Sequence, residues 1–597
     1  MRLYPVWQFA HEGPYQSVYD ALLAVRHLTP QQLAAGPEAL HRPELLTDLT
    51  RAATRLEESI RRGEKIVVFG DYDVDGISST AVMLDFLDAC GARCDYILPD
   101  RHNDGYGIKP AGLRRALKKG ADLFVTVDNG ISAFEALELA KAEGIDVIVI
   151  DHHTQTRDLP PAHSIVNPNR RDCDYPFKGL AGVGVAFKVV QALSEAFMDG
   201  GERRGYLNSL LDLVALGTVA DVASVLDENR VLVRHGLKAM TRTKRAGLRS
   251  LKQMARCDDG PIDTTAIGFR LGPRLNSAGR LASPDLALEL LRTSDEERGQ
   301  ALAEELDDLN NRRQQLQRKG AEEANALVSE RDVEEDCILV VLGEDWNLGV
   351  IGLIASTLAE RHYRPAIACT DARRDGTYVG SARSIPPYDM IGGISTCANH
   401  LTTYGGHHNA AGFSLEAERF EAFRVDLIDH AKGELGQADL SPRLAVDLAL
   451  KPEDIGWGTR ESLSGMEPFG PGNEAPVFAA LDMEVLACNR VGKQGEHLKL
   501  VLEAAGRPTS AMWWRRGTLA KELRQGDRIA VAFELEADDY TGGKAVQMVI
   551  RDLYQVADAN DASGPEVAKT ASSMAHAAAE PDNTGAHSGG ASQEFQF

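Results

Sequence analysis

Three short motifs hold the residues best suited to chemistry. GDYDVDG sets Asp71, Asp73 and Asp75 at alternate positions, VDNG carries Asp128, and IDHH carries Asp151 ahead of His152 and His153. Taken singly, each is also a common turn or helix-capping loop. Asp221 in GTVADV is likewise open between a helix-end surface residue and a ligand. Taken jointly, the first three each follow an apolar strand-like run, and in an open parallel sheet such ends converge at the edge where ligands bind. Carboxylates gathered within about 5 Å repel one another by kcal/mol amounts unless a cation lies between them. Hard oxygens with a histidine suit Mn²⁺ or Mg²⁺ and exclude a sulfur-rich zinc site, and a shared aspartate would hold two ions about 4 Å apart. A carboxylate beside a ligating imidazole, as Asp151 stands to the two histidines, commonly orients it. Two such ions activate a water and neutralise charge on a phosphoryl group, so the motifs point to phosphoester hydrolysis.

A second set of residues could handle phosphate. Arg274, Asn276 and Arg280 sit among small residues in GPRLNSAGRL, where they could reach a phosphate backbone or simply be solvated. GSARS places Ser381 and Arg383 in a small-residue loop, and GGHHNAAG places His407 after a glycine pair. Backbone N–H groups beside an arginine and a histidine make a phosphate clamp, which the arginine favours over an ordinary tight turn. Trp513 and Trp514 are adjacent in a strand-like run, so at most one can face outward to stack on a base.

The elements that must position these residues are legible in the pattern. From Lys65 to His153, apolar runs (KIVVFG, CDYILPD, ADLFVTVDNG, IDVIVIDHH) alternate with amphipathic helical stretches, which implies βαβ units and a parallel sheet. Residues 180–290 read as mostly helical. Leu302, Leu306, Leu309 and Leu316 recur at helical spacing in a long charged segment, an interdomain or surface helix. A second α/β pattern occupies 336–440. Five strand-like runs then follow a connector, with a helical run before the fourth, the order of an OB barrel. The fold class is therefore multidomain α/β: a parallel-sheet catalytic domain with an N-terminal extension (1–290), a linking helix (291–335), an associated α/β domain (336–440), a connector and OB-like β-barrel (441–556), and an Ala/Ser/Gly-rich tail (557–597) expected to be disordered.

Composition limits the alternatives. The 597 residues are 43% hydrophobic and 26% charged, with a formal charge of −23. Such a surface repels nucleic acid on average, so a polyanionic substrate needs local basic groups or bound cations. No apolar run approaches the ~18 residues of a membrane span, and the first residues lack the apolar core of a signal peptide. The eight cysteines form no C-x-x-C pair, and a reducing cytoplasm is the expected setting.

Together the motifs resemble the DHH phosphoesterase superfamily, and within it the bacterial RecJ family of single-stranded-DNA exonucleases. The matching stretches run in family order: GDYDVDG, NDGYGI, VDNG, IDHH, GTVADV, PRLNSAGRL, GVIG, GSARS, GGHHNAAG and PFGPGN. The resemblance implies hydrolysis of single-stranded DNA from the 5′ end into 5′-mononucleotides with Mn²⁺ or Mg²⁺, in recombination and repair. It implies metal ligands at Asp73, Asp75, Asp128, His152 and Asp221, with Asp71 and His153 in supporting catalytic positions. Substrate contacts are implied at Tyr106, Arg274, Asn276, Arg280, Ser381, Arg383 and His407. A single-strand-binding protein and a RecQ-type helicase are the implied partners. One departure stands out: before GVIG the family usually shows Trp-His-x-Gly, whereas Trp346 here precedes Asn347, which cannot act as a titrating acid. Two rival readings are a phosphodiesterase for very short or cyclic dinucleotides, which needs neither linking helix nor barrel, and a non-catalytic DNA-binding scaffold.

Overall fold

The computed structural model describes residues 3–11, 13–101, 107–329, 336–538, 543 and 545–556. Tyr106 and the tail from 557 lie outside these described residues. The chain divides into two units: Ala39–Leu440 with Gly470–Asn473, and Met1–Glu38 with Ser441–Phe469 and Glu474–Gln596.

The first unit holds a five-stranded, all-parallel sheet. Its order is Arg93–Ile97, Lys65–Phe69, Leu123–Val127, Asp146–Ile150, Ser164–Val166. Apart from the edge strand Arg93–Ile97, the strands are short apolar runs buried on both faces, as parallel sheets require. Val68, Val125 and Ile148 face one core, while Val67, Phe124 and Val149 face another. The direction of winding reverses at Lys65–Phe69, whose neighbours are the second strand on one side and the third on the other. GDYDVDG leaves the sheet at this switch point, and VDNG and IDHH leave the next two strands in order.

The helix Val74–Ala89 differs from the amphipathic element the sequence suggests. It is buried on nearly every side because the helices Gly182–Leu193 and Gly200–Ala220 also pack on it. The helix Gly182–Leu193 also forms an ion pair with the helix Asp227–Thr241 that has no solvent exposure. Lys188 Nζ sits 2.6 Å from Glu228, whose other oxygen accepts the Tyr175 hydroxyl at 2.6 Å.

The helix Glu296–Ser329 runs 34 residues. Leu302 and Leu306 join the core of the parallel-sheet region, and Leu316, Ala324 and Val328 pack under a second sheet. That sheet has the order Thr403–His407, Ala410–Glu416, Thr377–Arg383, Ala366–Thr370, Leu339–Gly343, with only the last pair parallel.

The second unit contains the barrel. Strands Phe478–Val491, His497–Ala504, Arg507–Trp513, Arg528–Ala537 and Val546–Gln555 close on themselves through the pairing of the first with the fourth. A 3₁₀ turn, Gly517–Lys521, precedes the fourth strand. The N-terminal extension, assigned from sequence to the catalytic domain, belongs here instead. Strand Val6–Phe9 pairs with Arg443–Val446, and the fully buried Trp7 donates its indole N–H to Asp552 at 2.9 Å. This short segment pairs its backbone in a two-stranded parallel sheet and buries Trp7 and Phe9 with Leu444, Val446 and barrel-strand alanines Ala479, Ala530 and Ala532, which decides where it folds.

Candidate metal centre

Seven of the sequence-selected residues converge at the carboxyl edge of the parallel sheet. Ligand atoms of Asp71, Asp73 and Asp128 lie within 4.8 Å of one another, as do those of Asp75, His152 and Asp221, and those of Asp128, His152 and His153. His152 Nε2 is 3.1 Å from Asp128 and 3.9 Å from both Asp75 and Asp221. Asp128 belongs to two of these groups, the place of a shared ligand.

Local backbone chemistry sets each side chain. Asp73 caps the helix Val74–Ala89, one oxygen accepting the Gly76 N–H at 3.0 Å. Asp75 accepts the Gly182 and Val183 N–H groups at 2.7 and 2.8 Å, at the start of the helix Gly182–Leu193. Asp128 adopts a positive φ of 61°, the left-handed turn that VDNG suggests. Asp151 accepts the backbone N–H groups of Ile131, His152 and His153 and takes His153 Nδ1 at 2.7 Å. It stands outside the three groups, and its contacts hold the loop that carries the two histidines. Glycines let the backbone approach: a Cβ on Gly182 would lie 2.6 Å from Asp128 Oδ1, and one on Gly217 would lie 2.9 Å from Asp75 Oδ1.

The electrostatics favour a bound cation. Burial, followed by neighbouring carboxylates, raises Asp75 and Asp128 well above the ordinary carboxylate value. Burial and then Asp73 push Asp71 and Asp221 up to about 7. Burial and then His153 depress His152 to about 4, so its ring is neutral. The ring bonds the Leu180 backbone, while Asp128 Oδ1 and His152 Nε2 are buried without a hydrogen-bond partner among the described residues. The Nε2 lone pair thus faces the Asp128 carboxyl at 3.1 Å, a gap that a proton or a bound cation would fill. The donor set, oxygens plus one imidazole, fits Mn²⁺ or Mg²⁺. At His153, burial opposes protonation, but Asp151 outweighs it and raises the value to about 9.

A basic cluster stands beside the carboxylates. Arg280 is depressed to about 9 by burial and then by Arg101, Arg313 and Arg383. Arg280 from the catalytic region and Arg383 from the second sheet thus face a common space, with Ser381 Oγ 3.3 Å from Arg383 Nη1. Arg280 also donates to the Gly349 carbonyl at 2.9 Å. His407 lies on an exposed strand and is lowered by burial, then by Arg383 and His153. Arg274 and Asn276 have local tasks: Arg274 pairs with Asp307 at 2.8 Å, and Asn276 accepts the Val74 N–H at 3.2 Å. Asn347 is committed similarly, its Oδ1 accepting the Gly349 N–H at 2.8 Å.

Sequence reasoning passed over Arg101 and Arg313. Arg101 stacks 4.1 Å over the Tyr72 ring and Arg313 projects from the long helix, neither within a motif of small residues. It also passed over Asn129, buried beside Asp128 with no hydrogen-bond partner on its amide. Of the tryptophan pair, Trp513 closes the strand Arg507–Trp513 and is 4% exposed, while Trp514 lies just past the strand's end and is 52% exposed.

Comparison with known proteins agrees with this architecture. The model of the DHH family, N-terminal domain, matches residues 65–218, that of the DHHA1 domain 335–433, and that of the RecJ OB domain 446–552. A single-stranded-DNA-specific exonuclease RecJ from Bacillus subtilis is 36% identical over 85% of this chain, which spans 64% of that relative's length. The protein of that name from Escherichia coli is 34% identical, with 88% of this chain and 93% of the relative covered. A crystal structure of RecJ in complex with Mn²⁺ from Thermus thermophilus superposes with a TM-score of 0.76 at 30% identity, covering 92% of this chain and 80% of that one. The chain belongs to the RecJ family, its DHH, DHHA1 and OB regions following one another in that order.

Proposed function

We propose that the protein hydrolyses single-stranded DNA exonucleolytically, from the 5′ end, releasing 5′-mononucleotides in a divalent-metal-dependent reaction. The observation that carries this reading is the gathering of Asp71, Asp73, Asp75, Asp128, His152 and Asp221 at the switch point of the parallel sheet, beside a cluster of arginines.

Asp73, Asp75, Asp128, His152 and Asp221 would hold two ions, with Asp128 shared. Mn²⁺ or Mg²⁺ so held lowers the pKa of an attacking water and neutralises charge developing on the phosphoryl group. The protein's own groups do the rest. Arg280 and Arg383, with Arg101 and Arg313, bind phosphate, and the anion relieves the mutual repulsion that depresses Arg280. Ser381 offers a hydroxyl beside them, and His407, held neutral, orients a phosphate oxygen by hydrogen bonding. His153 keeps both ring protons near neutral pH: Nδ1–H is anchored on Asp151, and Nε2–H remains for a substrate oxygen. The barrel supplies Trp514 as a stacking surface. The cytoplasm, a role in recombination and repair, and partnership with a single-strand-binding protein and a RecQ-type helicase complete the proposal.

The test is nucleotide release from 5′- and 3′-labelled single strands, duplex and a dinucleotide, with Mn²⁺ or Mg²⁺, by the parent and by Asp128→Ala. The proposal expects label to leave the 5′ end of single strands first and Asp128→Ala to lose at least a thousandfold in rate. Preference for the dinucleotide would favour the short-substrate rival, and binding without release would favour the scaffold.

A further inference from the structure

Asn229 lies fully buried near the start of the helix Asp227–Thr241, and its side-chain hydrogen bonds go to backbone carbonyls rather than to the candidate ligands. Its Nδ2 donates to the Gly179 carbonyl at 2.7 Å and to the Ser224 carbonyl at 2.8 Å, so both amide protons are committed to two separate backbone segments. The first segment turns from Gly179 into the helix Gly182–Leu193. Within five residues it reaches three candidate ligands. The Leu180 backbone bonds the His152 ring, the Gly182 and Val183 N–H groups hold both Asp75 oxygens, and Gly182 abuts the Asp128 carboxylate. The second segment follows Asp221 by three residues. It is held from its other side where Val225 N–H donates to the Pro471 carbonyl at 2.9 Å.

We infer that Asn229 is a positioning residue of the metal centre: one side-chain amide joins the turn that sets Asp75, Asp128 and His152 to the turn that follows Asp221. This rests on the ligand assignment proposed above. The residue type suits the task because only an uncharged NH₂ group supplies two donors at this size. Aspartate has the same shape but no donor, and would press a carboxylate against two carbonyls. Leucine has nearly the same volume and leaves both carbonyls unbonded in a buried place.

The test uses the full chain. Mn²⁺ is titrated calorimetrically into parent, Asn229→Leu, Asn229→Ser and Asp128→Ala, and each is melted in EDTA and in excess Mn²⁺. KM for a single-stranded oligonucleotide is measured at saturating Mn²⁺. Asn229→Leu is expected to weaken Mn²⁺ uptake by roughly 10–100-fold, as loss of groups that orient ligands does. The melting gain from Mn²⁺ should shrink, and KM should stay within about twofold of the parent. Asn229→Ser retains one donor and is expected to fall between, and it carries the comparison should the leucine variant not fold. Mn²⁺ affinity equal to the parent's, with melting lowered equally in EDTA and in Mn²⁺, would overturn the inference and leave Asn229 to the fold alone. Failure of the ligand assignment reads differently: Asp128→Ala would then bind Mn²⁺ as the parent does.

Discussion

Burial, reinforced by neighbouring charge, raises four carboxylates of the centre, and this makes metal uptake a proton-release reaction. Burial and then the Asp73 charge bring Asp71 and Asp221 up to about 7; burial followed by Asp221 and Asp73 lifts Asp75, and burial followed by Asp75 and Asp73 lifts Asp128, well above the ordinary carboxylate value. A carboxylate raised in the fold above its unfolded value of about 4 costs stability wherever the unfolded chain would be ionised. That cost is absent below about pH 4, grows as pH rises from there, and is complete once pH passes about 7. Two divalent ions remove it by supplying the missing positive charge. Mn²⁺ affinity should therefore rise about tenfold per pH unit for each proton displaced between pH 5 and 7. Calorimetry in buffers of different ionisation heat should count more than one proton released near pH 6.5, and zero release would show that the carboxylates are already ionised without metal. At this scale the sequence was informative for Asp71, Asp73, Asp75 and Asp128, singled out by spacing and strand-end position, whereas Asp221, at a helix end, stays open without the family resemblance. Arg101 and Arg313 were illegible because nothing in their neighbourhoods marks them, and only the packing of the second sheet and long helix brings them beside Arg280 and Arg383.

Among the elements, the turn before the helix Gly182–Leu193 is the most constrained. A Cβ at Gly182 would overlap Asp128, so Gly182→Ala should displace a shared ligand and weaken Mn²⁺ binding at least tenfold while the sheet still folds. Metal titration with circular dichroism on the same sample separates the two effects. The Lys188–Glu228 pair sits behind this turn with no solvent exposure. Lys188→Met leaves Glu228 buried without its cation and should cost about 3–5 kcal/mol in denaturant unfolding, whereas an exposed pair would cost under about 1. The βαβ series was legible because apolar runs alternated cleanly with helices. The burial of Val74–Ala89 was not, since which helices cover it depends on segments more than 100 residues away.

For the whole molecule, the question is how a chain of charge −23 binds a polyanion. The arginine cluster and the ions answer locally, and the barrel adds a surface that does not depend on charge. Trp514 is exposed at the end of a barrel strand, with the His497 ring 4.9 Å away edge-on. Trp514→Ala should weaken binding of a long single strand by about 1–3 kcal/mol and leave dinucleotide hydrolysis unchanged, measured by fluorescence anisotropy and product release. Equal loss on both substrates would place the effect in the catalytic unit. The barrel itself was legible from five runs and a helical turn, whereas the home of the N-terminal extension was not. Strand Val6–Phe9 carries no pattern that names its partner strand more than 400 residues later.

Anomalous diffraction at the manganese edge from crystals grown with Mn²⁺ tests the central claim most directly. Two peaks about 4 Å apart are expected, one on each side of the Asp128 carboxylate, with Asp73, Asp75, His152 and Asp221 completing their coordination. A map with no peak among these side chains at saturating Mn²⁺ would contradict the account.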